Sequence, residues 1–224
     1  MLEPYLCDKH ISWYLANYCL ICISLDMARQ PTETKRRVLD AAFWEIYRQG
    51  FHGASIDRIL DGTAITKGAL FHHFPSKQHL GYALVEGPVR DWITGHWITP
   101  LATVGDPVAG IPAQVNAYLE ACPDELVHGG CPLNNLTQEL SATDEGFRVR
   151  LDAVASEWRA AVAACWARGP AGDAATTAET DAAHAAFIVS AIQGLLGLAK
   201  ATKSRELAGR AVASFARSLR SLDR

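Results

Sequence analysis

The sequence predicts an all-α fold in two parts, a small N-terminal unit of three helices and a larger helical body. Three observations carry that prediction. Apolar residues recur at helical spacing along most of the chain, and few segments alternate as strands do. Residues able to cap helix N-termini stand close together between Ser55 and Ser76, so short helices must follow one another there. The charge is also divided: residues 27–80 carry eight Lys or Arg against five acids, whereas residues 81–224 carry twelve against sixteen. A compact basic segment followed by an acidic body, in a chain of net charge −3, points to two parts with different partners. The boundaries that follow are an N-terminal extension at 1–26, a basic helical unit at 27–80 and a body at 81–224.

Taken in order, the extension contains an apolar run from Ile11 to Leu25. It is too short for a comfortable membrane span and lacks the charged start and small-residue cleavage site of a signal peptide. Met27 opens MARQPTETKRRVLDAA, which reads as a natural beginning. Residues 1–26 are therefore either an extension upstream of it or an extra helix packed on the body. In the first helix, Val38, Leu39, Ala42, Phe43, Ile46 and Tyr47 mark one apolar face, with Thr32 or Thr34 to cap it and Gly50 to end it. Ser55 caps a second helix carrying Ile56, Ile59 and Leu60, with Asp57 favoured by the dipole of its first turn. Thr66 caps a third, with Leu70 and Phe74 inward, and Ser76 caps a longer helix running through Leu80 and Leu84 to Trp92 or beyond. Downstream, prolines mark loops at 100–112 and 122–132. Helices are predicted near 112–121, 133–140, 144–168, 181–202 and 204–221, with a small-residue loop from Gly169 to Thr180.

Ser55 to Phe74 thus sets two short helices around a tight turn, Thr63-Ala64-Ile65. That is the layout of a helix-turn-helix, whose second helix enters the DNA major groove. The outward residues of that helix are Thr66, Lys67, Ala69, Phe71, His72 and His73. Lys67 is a poor partner for the positive end of its own helix, a cost that an anionic ligand offsets. Gly68 lets the backbone approach closely. His72 and His73 donate to phosphate without a permanent charge. Being adjacent, their rings diverge by about 100° on a helix and do not chelate one metal together. Lys77 repeats the logic of Lys67 in the next helix, and Arg36 adds a cation to the same segment.

Residues 35–80, through KRRVLDAAFWEIYRQGFHGASIDRIL and ITKGALFHHFPSKQHL, resemble the DNA-binding domain of the TetR family of bacterial transcriptional regulators. The resemblance implies that Thr66, Lys67, Gly68 and Ala69 meet DNA, that His72 and His73 contact phosphate, that Lys77 clamps the DNA backbone, and that Ser55 starts a helix that also touches phosphate. This chain departs from the family pattern at Ala64, where the turn usually carries Gly, at Leu60, where a small residue is common, and at Phe71, which replaces a Tyr and has no hydroxyl to donate. If Ala64 must adopt a positive φ, the penalty is about 1 kcal/mol.

For the body, the resemblance implies an all-helical domain that dimerises and holds an effector pocket. The last two helices, AHAAFIVSAIQGLLGLAKA and RELAGRAVASFARSLRSL, are the expected dimer elements, with Gly194 and Gly197 allowing close approach. An apolar cavity with a few polar anchors suits a small molecule; its candidates are Trp92, Trp97, Tyr118, Trp158, Trp166 and Phe187, with Gln193 as the polar group. HGGCPLNNLTQELS, His128 to Ser141, resembles a subgroup of TetR-type regulators in which some members respond to electrophiles or oxidants, and Cys131 takes the cysteine position. A thiol at a helix N-terminus can have a lowered pKa, so Cys131 is either a sensor or a buried small hydrophobe. Of six cysteines (7, 19, 22, 122, 131 and 165), only Cys19 and Cys22 are spaced like metal ligands, and no second pair accompanies them. A reducing cytoplasm fits, with no cofactor or metal. An enzyme using Cys131 and His128 lacks an orienting acid. The expected function is a ligand-responsive regulator, most often a repressor, binding a palindromic DNA operator as a homodimer with no membrane association.

Overall fold

The computed structural model describes residues 33–169 and 178–222. The 1–26 extension, the Cys19/Cys22 pair, the Thr32 cap and the middle of the Gly169–Thr180 loop lie outside them. The described elements are all helical, in agreement with the sequence. The basic unit comprises α1 (Glu33–Gly53), α2 (Ile56–Leu60) and α3 (Lys67–His73). Thr34 lies inside α1 rather than capping it. Gly50 does end the regular part of α1: at φ 74 it breaks the helix, and one further turn follows. Val38, Leu39, Ala42, Phe43, Ile46 and Tyr47 are all buried, as their spacing requires.

A long rod leads into the body. It begins as α4 (Lys77–Leu84), widens to π-helix over Val85–Val89, narrows to α5 (Arg90–Ile93), widens again over Thr94–Ile98 and ends as a 3₁₀ turn, Thr99–Thr103. The first widening contains Pro88. Proline has no N–H and crowds the carbonyl four residues back, so an interior proline needs the ladder to loosen around it.

The remaining helices are α6 (Pro107–Ala121), α7 (Asp124–Val127), α8 (Pro132–Leu140), α9 (Glu145–Trp166), α10 (Ala178–Thr202) and α11 (Arg205–Leu222). The proline-marked loop at 100–112 is shorter than expected. Pro107 occupies a first-turn position that needs no N–H, and the Asp106 carboxylate accepts from Val108 N–H at 2.9 Å. α9 packs along α10, α10 along α11, and α6 against α11. α10 is long and apolar enough to cross a membrane, but its Ala185, Ile188, Ile192, Leu196 and Ala199 are buried in the shared core. That core is continuous from Val38 in α1 to Leu219 in α11, so the basic unit and the body are packed into each other.

Candidate nucleic-acid interface

The interface is built by local chemistry. Ser55 Oγ accepts from Arg58 N–H and Thr66 Oγ1 from Ala69 N–H, both at 3.2 Å, so α2 and α3 start where the sequence places them. Between them the Thr63 hydroxyl donates to Leu60 O at 2.7 Å and accepts from Ile65 N–H at 3.2 Å. Two residues turn the chain through the left-handed region, Gly62 at φ 71 and Ala64 at φ 55. The condition set for Ala64 is therefore met: it adopts the positive φ. From α1, the Arg37 guanidinium donates to Thr63 O at 2.6 Å and ties the turn down. Sequence reasoning missed Arg37, because its role depends on a carbonyl 26 residues away. Ile59, Leu70 and Phe74 form the buried back of the pair.

The front of α3 faces outward. Thr66, Lys67, Gly68, Phe71 and His72 are exposed, and Ala69 and His73 are half-buried. A Cβ at Gly68 would meet nothing closer than Thr66 Oγ1 at 3.8 Å, so internal packing does not require glycine there. The His72 and His73 rings are 5.4 Å apart, centroid to centroid, and tilted by 65°. Lys67 is paired with Asp57 at 2.6 Å, with both side chains well exposed. An exposed pair is worth about 0–1 kcal/mol, so a phosphate can displace it readily. Ser55 and Thr66 use their oxygen lone pairs in capping and keep their hydroxyl protons for another acceptor.

Two expected contacts are placed differently. Lys77 is half-buried, its ammonium donating to Ala54 O at 2.6 Å and His52 O at 3.3 Å while lying 4.9 Å from the centre of the Phe51 ring. Those carbonyls end the turn after Gly50, and in this structure Lys77 braces them. Arg36 is gripped by Glu33 at 2.8 Å and Asp40 at 2.9 Å, one turn away on either side.

Residues 38–84 match the N-terminal domain of bacterial regulatory proteins of the tetR family, and residues 107–215 match a tetracyclin repressor-like C-terminal domain. An HTH-type transcriptional regulator from the lacX 3' region of Lactococcus lactis subsp. lactis is 32% identical over 170 residues, 76% of this chain and 85% of that protein. The chain belongs to the TetR/AcrR family of bacterial transcriptional regulators. Its fold matches a TetR regulator from Chloroflexus aurantiacus, with TM-score 0.69, 27% identity, and 83% and 93% of the two chains covered. It also matches the reduced form of Escherichia coli NemR, with TM-score 0.67, 21% identity, and 81% and 94% covered. As a TetR-type protein the chain is a DNA-binding regulator and not an enzyme.

In this TetR-type chain one carboxylate ties the joint between DNA-binding unit and body, beside the apolar core that they share. Glu139 of α8 accepts from the N–H groups of Phe51 at 2.8 Å and His52 at 2.7 Å, the free donors of the turn that restarts after Gly50. A Cβ on Gly50 would stand 2.9 Å from that carboxylate. Tyr47 adds a buried hydroxyl within 2.9 Å of Leu126 O and 2.7 Å of Gly130 O.

In the body, four of the predicted pocket aromatics come together. Trp92 and Trp97 approach Tyr118 at 5.9 and 5.1 Å between centroids, and Trp158 stacks on Trp97 at 5.6 Å. The π-helical turn brings His96 into the same group, its ring 4.6 Å from Trp92. His96 Nδ1 lies 2.9 Å from Trp92 O, and burial lowers its pKa. Gln114 of α6 donates to the loosened carbonyls of His96 at 2.6 Å and Trp97 at 3.3 Å. The indole N–H groups of Trp92 and Trp97 are both buried without a hydrogen-bond partner.

Other predicted members do not join these rings. Trp166 is buried beside His184 at 5.4 Å. Phe187 is 45% exposed, and its ring lies against Phe215 of α11. Gln193 is half-buried on the same helix. Cys131 does stand at the N-cap of α8, but it is 2% exposed, and burial pushes its thiol up to about 12. The N–H groups of Leu133 and Asn134 pull the other way and are outweighed. The lowered pKa expected of a sensor is thus reversed by desolvation.

Proposed function

We propose that this TetR-type protein is a cytoplasmic repressor that binds a palindromic operator as a homodimer and is released by a small molecule held in the body. The exposed front of α3 carries the reading. Lys67 and His72 stand there as donors beside a glycine with open space around it. One short recognition helix gives weak specificity, and two half-sites about 34–36 Å apart are the usual remedy.

The dimer is supported by α10. Ala182, Ala186, Ser190 and Gly194 recur every fourth residue as an exposed stripe of small side chains, with Ala183 and Phe187 beside it. A small-residue face with one exposed aromatic suits close packing against its own copy. The effector site is supported by the Trp92, Trp97, Tyr118 and Trp158 rings. Two indole donors buried without a partner among these rings cost about 1–3 kcal/mol each, which an acceptor on a ligand would recover. A ligand that favours one spacing of the two α3 helices shifts operator affinity by linkage. This reading makes no use of the Cys131 thiol, which is buried and pushed up to about 12.

The test is fluorescence anisotropy on the DNA upstream of the protein's own gene, at two salt concentrations, with scrambled DNA as control. The expected result is tight, salt-sensitive binding to the native sequence that Lys67→Ala weakens, with a smaller salt slope. Equal, weak binding to both DNAs and in both proteins would sink the operator assignment.

A further inference from the structure

We propose a second ligand site at the joint between the DNA-binding unit and the body, selective for an amphipathic carboxylate. A cavity of about 540 Å³ opens between α1 and α8, beside the π-helical part of the rod. Its apolar wall is Phe43, Ile46, Leu84, Val89, Pro132 and Leu136. A second hollow of about 350 Å³ shares Tyr47, Arg48 and Lys200 with the first and extends to His128 and Lys203. Together they make one groove with an apolar end and a cationic end, in the size range of ordinary small-molecule sites.

The charges decide what fits. Every carboxylate lining the groove is already engaged. Glu139 is held by two backbone N–H groups, Glu125 by Arg48 at 2.7 Å and Asp124 by Arg205 at 2.7 Å. The two lysines are not matched in this way. Lys200 donates to the Asn135 amide oxygen at 2.9 Å and Lys203 to the His128 carbonyl at 2.8 Å, and neither meets a carboxylate among the described residues. Lys203 is moreover fixed at φ 53 by the end of α10. Beside it, His128 Nε2 is buried without a partner. Two ammonium groups bonded only to neutral oxygens gain an opposite charge when a carboxylate arrives, so the bond becomes an ion pair. The tail enters the cavity of about 540 Å³ along the narrow apolar edges that the otherwise buried Phe43 and Leu136 leave open.

This site differs from the aromatic group in the body, since none of its lining residues belongs to that group. Its walls come from α1 on one side and α8 on the other, so its occupant senses how the DNA-binding unit sits on the body. By reciprocity, occupancy and operator affinity are coupled.

Isothermal titration of the full chain with decanoate, and with decanol as the uncharged control, tests the proposal directly. The expected result is decanoate binding at least ten-fold tighter than decanol. A Lys200→Gln/Lys203→Gln double variant should lose at least ten-fold for decanoate and leave decanol unchanged. Gln138 is exposed at the groove, so Gln138→Trp should keep the fold, checked by circular dichroism, and weaken both ligands by occlusion. No decanoate binding to wild type, equal affinity for decanol, or decanoate binding that survives both variants would each overturn the assignment. None of these readings requires an operator, so they stand apart from the repressor proposal.

Discussion

Ala64→Gly should stabilise the protein. Ala64 sits at φ 55, where its Cβ crowds the following carbonyl. That conformation costs about 1–2 kcal/mol for an L-residue, and glycine is free of it. Glycine also gives the unfolded chain more freedom, which takes back about 0.4–1 kcal/mol. The Ala64 side chain is exposed, so no packing is lost. The native turn is held independently by Arg37 on Thr63 O and by the Thr63 hydroxyl, so the backbone has no reason to move. The net gain is about 0.5–1 kcal/mol. Urea unfolding followed by circular dichroism, at one fixed protein concentration, should show the midpoint rising by a few tenths of a molar with unchanged slope. Ala64→Val should do the reverse, because a β-branched residue tolerates this region worst. A lower midpoint for Ala64→Gly at constant slope would refute the strain assignment.

Gly68→Ala should leave stability unchanged or raise it by up to about 1 kcal/mol, since helix propensity improves and the new Cβ meets nothing tight. Its operator affinity should nevertheless fall in anisotropy titrations; unchanged affinity would mean that the α3 backbone does not come close to DNA. Cys131 should resist alkylation at neutral pH in the folded protein and react on unfolding, because its thiol is pushed up to about 12 and sealed; peptide mass mapping after a timed iodoacetamide pulse reads this out. His96 has a folded pKa below its unfolded value of about 6.5. Its neutral form is the one the fold accommodates, so its contribution is intact above that value and lost as pH falls below it, at no more than about 1.4 kcal/mol per pH unit. The drop in urea midpoint between pH 7.5 and 5.5 should therefore shrink in His96→Gln, and an undiminished drop would assign the pH response to other groups.

The DNA-binding unit was legible in the sequence because its instructions are local. Ser55, Thr66 and Ser76 each cap a helix within three residues of themselves, and Ala64 occupies a left-handed position set by the turn it belongs to. The body was legible in outline only. Meeting of Trp92, Trp97, Tyr118 and Trp158 follows from their being large and apolar, so composition anticipates it. The exposure of Phe187 depends on which faces of α10 its neighbours cover, which no local pattern encodes. The surroundings of Lys77 and Cys131 were not legible for one shared reason. Each side chain meets groups remote in sequence: the carbonyls of His52 and Ala54 for the lysine, the continuous core for the thiol, so that of the two readings of Cys131 the fold selects the buried one. The π-helical turns around Pro88 and Trp97 carry no pattern that distinguishes them from ordinary helix in advance.

The bond from Glu139 to the N–H groups of Phe51 and His52 addresses main chain, not side chain. Any residue except proline offers the same two donors, so this coupling is blind to the amino acids on the DNA side. On the DNA side Gly50 is held to its identity by its φ and by the nearness of the carboxylate, and Tyr47 by the two body carbonyls that its hydroxyl reaches. Recognition residues in α3 can therefore diverge toward new operators while this grip from the body stays the same. The joint works as a standard fitting for α3, whereas a whole recognition unit grafted from a relative must also bring Tyr47 and the apolar face of α1 that completes the shared core.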